Sequence, residues 1–207
     1  MIDLQWTFPY PSRRMPVLAE NVVATSQPLA AQAGLRMLLA GGNAVDAAVA
    51  AAAALAVVEP TSNGLGGDAF ALIWDGKGLS GINGSGRSPE AWHPDRFQGL
   101  REMPHIGWDT VTVPGAVDLW ACLWERFGTL PFETLLSPAV HYAREGFPVS
   151  PLTAGAWAAA APTYAHLPEF ARVFLPGGRA PVPGQWFRCP ERSEERRVGK
   201  ECRSRWA

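Results

Sequence analysis

A run of small apolar residues, AVDAAVAAAAALAVV at positions 44–58, constrains the fold of this chain more than any other stretch. Alanine has the highest helix propensity, and a helix that is apolar on every side is typical of a buried core. The run is too short to cross a bilayer, which needs about 20 residues. We therefore predict a buried helix over 44–58, capped by Asn43, and we expect no membrane partner.

A glycine-rich stretch, EPTSNGLGGDAF at 59–70, follows this helix. It has neither the GxxxxGK[ST] pattern of a P-loop nor the GxGxxG pattern of a Rossmann turn. It also leads from a helix to a strand, the reverse of the order that aims a helix N-terminus at a phosphate. Nucleotide binding is therefore not expected. Residue types alone favour a structural role, in which the glycines bend the backbone where a Cβ atom would clash.

Two strand-like segments, at 69–74 and 79–83, flank Asp75-Gly76-Lys77-Gly78, which is a typical hairpin turn. An antiparallel hairpin after two helices argues against a doubly wound parallel sheet. Capping residues, prolines and glycines bound the other predicted elements. These are a strand at 21–24, a helix capped by Ser26 and ended by Gly41, a helix at 116–127, a short helix from Phe132, and a helix from Ser137-Pro138 to Gly146. No element is assigned with precision past residue 150.

Composition argues against several kinds of site. Cys122, Cys189 and Cys202 form no CxxC pair, and the histidines show neither HExxH nor another metal-ligand spacing. We therefore expect reduced thiols, no metal and no cofactor.

The amino terminus lacks a basic start followed by an apolar stretch, so we expect no secretory signal and a cytoplasmic location.

Three stretches of the chain carry a recognisable combination of motifs. They are GGNAVDAAVAAAAALAVVEPTSNGLGGDAFALIW at 41–74, TVTVPGAVDLW at 110–120 and RFGTLPFETLLSPAVHYAREGFPVS at 126–150. In this order they resemble the large subunit of the gamma-glutamyltranspeptidase family, and the resemblance extends over about residues 20–190. Several separate motifs in one order make the match specific.

The resemblance implies an α+β fold that is part of the αββα sandwich of N-terminal nucleophile hydrolases. Such proteins are made as one precursor that cleaves itself into a large and a small subunit. The new amino-terminal threonine is the nucleophile, because its free α-amine accepts the hydroxyl proton. No part of this chain matches the motif that opens the small subunit. We therefore expect no catalytic residue here, a missing small subunit as partner, and no activity from this chain alone.

A substrate-binding position is also implied. Typical transpeptidases use one arginine, after the glycine stretch, to bind the α-carboxylate of the γ-glutamyl group through a charge-assisted fork. The local sequence here is GINGSGRSPEAW at 81–92, and alignment through Pro89 places Ser85 at that position, with Arg87 two residues later. The candidate substrate-binding residues are therefore Arg87 and Ser85. A serine hydroxyl cannot replace a guanidinium, so Arg87 either takes over this role or remains a surface charge.

Three functions stay open at this point. The first is transfer or hydrolysis of a γ-glutamyl group, for example of glutathione, by the complete protein. The second is a β-lactam acylase-like amidohydrolase of the same family, acting on another acyl amide. The third, from a different class, is a non-catalytic binding module that uses the apolar surface left by the absent subunit.

The last sixteen residues, RSEERRVGKECRSRWA, differ in composition from the rest: nine of them are charged, against 18% of the whole chain. A basic tail is one signature of a nucleic-acid-binding arm. This stretch instead resembles the conceptual translation of a short-read sequencing adapter. We therefore expect residues 1–191 to be the family-derived domain and 192–207 to be an artefactual, disordered tail, and we expect no nucleic-acid partner.

Overall fold

The computed structural model of the chain describes residues 17–194, with side chains up to Arg192. The rest of the predicted tail, from residue 195, lies outside the described residues. Mixed helices and strands make up this part of the chain. In order they are α1 (Pro28–Leu39), α2 (Ala44–Val58), β1 (Ala69–Trp74), β2 (Leu79–Gly84), α3 (Ala116–Phe127), α4 (Phe132–Glu145), β3 (Phe147–Pro148), α5 (Pro151–Tyr164), α6 (Pro168–Phe174) and β4 (Trp186–Phe187).

Helix α2 lies at the centre of the core, as predicted, and packs against α1, α3 and α4. Asn43 caps it: the side-chain oxygen accepts hydrogen bonds from the backbone amides of Val45 and Asp46, and Asp46 accepts one from the Asn43 amide in return. The small alanine side chains let the neighbouring helices approach closely. Among the described helices, none is both long and apolar enough to cross a membrane.

The predicted hairpin is confirmed. Strands β1 and β2 pair antiparallel, from Ala69 opposite Gly84 to Trp74 opposite Leu79. In the turn, Asp75 accepts hydrogen bonds from the amides of Gly78 and Lys77, and these bonds hold the pKa of its carboxyl below its usual value. The turn also uses a positive φ of 88° at Gly76.

Alternate residues of the hairpin differ sharply in burial. One face, with Ala69, Ala71 and Ile73, is half-buried against the helical core. The opposite face carries large apolar side chains in solvent: Phe70 is 69% exposed, Leu72 78% and Trp74 66%. We call Phe70, Leu72, Trp74 and Leu79 the outer hairpin face. An apolar patch of this kind on a sheet is unusual for a protein surface without a partner.

The start of α1 differs from the prediction. Its N-cap is Gln27, whose side chain accepts a hydrogen bond from the Leu29 amide, because the Ser26 hydroxyl donates instead to the Glu59 carboxylate. The predicted strand at 21–24 is not formed, since no described segment pairs with it.

Helix α4 is one continuous helix, so the prediction of two shorter helices was wrong. Pro138 lies inside it and cannot donate to the Thr134 carbonyl. The Ser137 hydroxyl donates to that carbonyl at 2.8 Å and replaces the missing backbone hydrogen bond. The serine thus maintains the helix at the position where the sequence suggested a new cap.

The region past residue 150 packs around a cluster of aromatic side chains. Trp157 on α5 is fully buried, its ring lies 4.8 Å from that of Phe187 on β4, and its indole nitrogen donates to the Phe174 carbonyl. Arg192 lies against this cluster: its guanidinium donates to the Ala56 carbonyl and lies 5.0 Å from the centre of the Phe174 ring.

Candidate functional site

Three backbone segments meet at the end of the hairpin opposite its turn: the glycine loop at 64–68, the loop at 84–87 that leaves β2, and the turn at 112–116 that enters α3. The Gly67 carbonyl accepts from the amides of Gly115 at 3.1 Å and Ala116 at 3.0 Å. The Val113 amide donates to the Arg87 carbonyl at 2.9 Å. We call this region the hairpin junction.

Close packing at the junction requires glycine at particular positions. A Cβ atom on Gly86 would lie 1.8 Å from the Val113 carbonyl oxygen, and one on Gly115 would lie 2.2 Å from the Gly84 carbonyl oxygen. In contrast, Gly64 and Gly66 have nothing within 4 Å of a built Cβ among the described residues. The expectation that the glycine loop avoids internal clashes is therefore wrong for these two residues, and the sterically required glycines lie in the segments facing the loop.

Both predicted substrate-binding residues lie at this junction. The alternation of exposed and half-buried residues along β2 continues through the loop, and Ser85 and Arg87 are both exposed. They therefore share one side of the chain, about 7 Å apart along the backbone. This is the side of the outer hairpin face, since Asn83, on the same side, pairs with Phe70.

The backbone of the 84–87 loop is held although these side chains are exposed. The Ser85 amide donates to the Asn83 side chain at 2.8 Å, and the Gly86 amide donates to the Asp68 carboxylate at 3.0 Å. No hydrogen bond or ion pair joins the Arg87 side chain to another described residue.

Sequence reasoning did not single out Asp68. The available signal was its place directly after the glycines, where an acidic residue interrupts an otherwise uncharged stretch. Within residues 17–194, no cluster of three or more histidine, cysteine, aspartate or glutamate residues could hold a metal ion. Cys122 and Cys189 are free thiols.

A surface depression of about 500 Å³ lies at the other end of α3, lined by residues 124, 125 and 128–131. It borders the connection between α3 and α4. Since α3 has 12 residues, a rise of about 1.5 Å per residue separates this depression from the junction by roughly the length of the helix. It is therefore not continuous with the candidate site.

Solved structures define the class of protein to which this fold belongs. Cephalosporin acylase from Bacillus halodurans is similar with a TM-score of 0.88 and 45% identity, covering 97% of this chain and 40% of that chain. Gamma-glutamyltranspeptidase from Helicobacter pylori is similar in fold, with a TM-score of 0.84 at 24% identity, covering 91% of this chain and 56% of that chain. These structural neighbours are of the N-terminal nucleophile hydrolase type, and the chain has their fold over the part that it covers.

The family follows from the sequence comparison. The model of the gamma-glutamyltranspeptidase family matches residues 30–195, and the chain belongs to this family. A glutathione hydrolase-like YwrD proenzyme from Bacillus subtilis is 42% identical over 171 residues, which are 81% of this chain and 33% of that protein. An oxamate amidohydrolase proenzyme from Klebsiella pneumoniae is 41% identical over 181 residues, which are 84% of this chain and 34% of that protein. The chain therefore spans about a third of the length of these relatives.

Proposed function

We propose that the chain is the amino-terminal part of the large subunit of an amidohydrolase precursor that transfers or hydrolyses a γ-glutamyl or related acyl group, for example of glutathione. The observation that carries the proposal is the hairpin junction. Two of the three motif stretches and the loop with Ser85 and Arg87 meet there through backbone contacts. The relatives, named as a glutathione hydrolase-like protein, an amidohydrolase and a cephalosporin acylase, support an acyl amide as substrate.

The chemistry divides between this chain and the rest of the precursor. An amino-terminal threonine would supply both the attacking hydroxyl and the amine that accepts its proton, and donors around it would stabilise the oxyanion. Those groups belong to the small subunit. Residues 84–87 would bind the acyl donor, with the Ser85 hydroxyl as a neutral donor and the Arg87 guanidinium as partner for a carboxylate. This division makes the present chain a binding half without a nucleophile.

The outer hairpin face is a candidate binding surface for the small subunit. Phe70, Leu72 and Trp74 would be buried if a second sheet were to pack on them, as in an αββα sandwich. Both edges of the hairpin are also unpaired within the described residues, so further strands could extend the sheet. We place the small subunit of the same precursor on this face.

The 207-residue chain is expected to self-associate through the outer hairpin face. Replacing Phe70, Leu72 and Trp74 together by threonine, which we call the polar hairpin variant, should yield a monomer with unchanged far-UV circular dichroism, since threonine keeps strand propensity and removes the apolar patch. Size-exclusion chromatography with light scattering measures the change. The control is Leu152→Thr, because Leu152 on α5 is even more exposed and should have no effect on association. A monodisperse unmodified chain that melts cooperatively would favour the binding-module alternative instead.

The isolated chain should release no 4-nitroaniline from γ-glutamyl-4-nitroanilide. The complete precursor, obtained by following the genomic reading frame past codon 191, should cleave itself into two subunits and hydrolyse this anilide or an N-acylated cephalosporin. Preference between these two substrates distinguishes the transpeptidase from the acylase alternative. Turnover by the isolated chain, or a covalent acyl adduct on one of its own side chains, would contradict the division of labour. A frame that continues unchanged through codons 192–207 would contradict the predicted tail boundary.

A further inference from the structure

Asp68 joins two segments of the hairpin junction at the point where strand pairing stops. The last paired residues are Ala69 and Gly84, so Asp68 lies opposite Ser85 if the register continues. Beyond this pair, a side-chain bond takes the place of the ladder: the Asp68 carboxylate accepts the Gly86 amide proton at 3.0 Å. The bond connects residues 18 positions apart in the sequence. Asp68 thus extends the link between the two strands by a further step.

In the 84–87 loop, residues 85, 86 and 87 are each held by a hydrogen bond to a different segment. The Ser85 amide donates to the side chain of nearby Asn83, and the Arg87 carbonyl accepts from the Val113 amide. The Gly86 amide donates to the carboxylate of Asp68, the last residue of the glycine loop. The first bond is local and the second ties the loop to the turn before α3. The Asp68 bond alone among these three sets the position of the loop relative to the glycine loop.

We infer that Asp68 is a positioning residue for substrate binding: it fixes the backbone at Gly86 and thereby the two flanking side chains, Ser85 and Arg87, that face the acyl donor. The inference rests on the proposed function of that loop. A loop held in its bound conformation loses less conformational freedom on binding, so its affinity is higher than that of a mobile loop. Loss of the Asp68 bond should therefore weaken binding of the acyl donor while the nucleophile remains intact.

The first experiment measures amide hydrogen exchange in the polar hairpin variant of the 207-residue chain. In Asp68→Ala, the Gly86 amide should exchange about three- to tenfold faster, as expected for one lost hydrogen bond. Asp68→Asn should restore most of the protection, because its amide oxygen can still accept this bond. The matched control is Asp75→Ala at the other end of the hairpin, which should affect the amides of Lys77 and Gly78 and leave Gly86 unchanged. Unaltered Gly86 exchange in Asp68→Ala would overturn the inference.

The second experiment measures kinetics in the complete precursor, with whichever of γ-glutamyl-4-nitroanilide and the N-acylated cephalosporin the wild type converts. Asp68→Ala should raise KM about three- to tenfold and leave kcat nearly unchanged, because a less ordered binding loop weakens binding of the ground state and of the transition state equally. Asp68→Asn should lie close to the wild type, and Asp75→Ala should match it. An unchanged KM in Asp68→Ala would contradict the inference but not the proposed function. A processed wild type that converts neither substrate would sink the proposed function, while the exchange experiment would still decide the role of the Asp68 bond in holding the loop.

Discussion

Asp46→Ala is expected to lower the free energy of unfolding by about 3 to 5 kcal/mol, a large effect for a single polar side chain. The carboxylate is 0% exposed. It accepts hydrogen bonds from the amides of Asn43 at 2.9 Å, Thr129 at 3.0 Å and Leu130 at 3.3 Å. Alanine would leave these three backbone donors without their acceptor and would break the capping box of α2.

The measurement is urea unfolding in the polar hairpin variant, so that association does not obscure the transition. Asp118→Ala is the matched control, because Asp118 is also an acidic residue in the first turn of a helix but is exposed. It should change stability by less than about 1 kcal/mol, the size of a helix-dipole contribution. Equal transition midpoints for the two alanine variants would show that the Asp46 bonds do not stabilise the fold.

Gly86→Ala should destabilise the chain by about 3 kcal/mol or more and should open the hairpin junction. The added Cβ would lie 1.8 Å from the Val113 carbonyl oxygen, which is a backbone atom that cannot move aside as a side chain does. The two segments must therefore separate by more than an ångström, and the hydrogen bond from the Val113 amide to the Arg87 carbonyl should be lost with the contact. In the complete precursor the same change should remove most of the activity.

Gly66→Ala is the control for this change, because the glycine loop leaves open space at that position and its φ is not in the left-handed region. Its effect in the polar hairpin variant should be within about 1 kcal/mol, with either sign. Thermal melting of both variants gives the comparison. If Gly66→Ala destabilises as much as Gly86→Ala, the steric account of the junction is wrong. In the precursor, loss of activity on Gly66→Ala without loss of stability would indicate that substrate or the small subunit approaches the loop closely.

The sequence predicted well those elements whose ends are set by residues at or next to the ends. Helix α2 begins at a capping box, the hairpin has an Asp-Gly turn, and α3 lies between Gly115 and Gly128. The errors occurred where a distant or competing partner decided. The sequence predicts Ser26 as the cap of α1, but the Ser26 hydroxyl donates to Glu59. It predicts a helix start at Pro138, but Ser137 supplies the hydrogen bond that keeps α4 continuous.

The sequence by itself determined the helix at 44–58, the hairpin, the family and the position of Ser85 and Arg87 after the glycine loop, because these depend on local propensity or on motifs read in order. Only the tertiary structure decided that Asp46 binds amides 83 and 84 residues away, and that Gly86 is sterically required. It likewise revealed that the Asp68 carboxylate accepts a hydrogen bond from the Gly86 amide. The physical reason is that hydrogen bonds and close backbone contacts depend on distance in space, which periodicity along the chain does not encode.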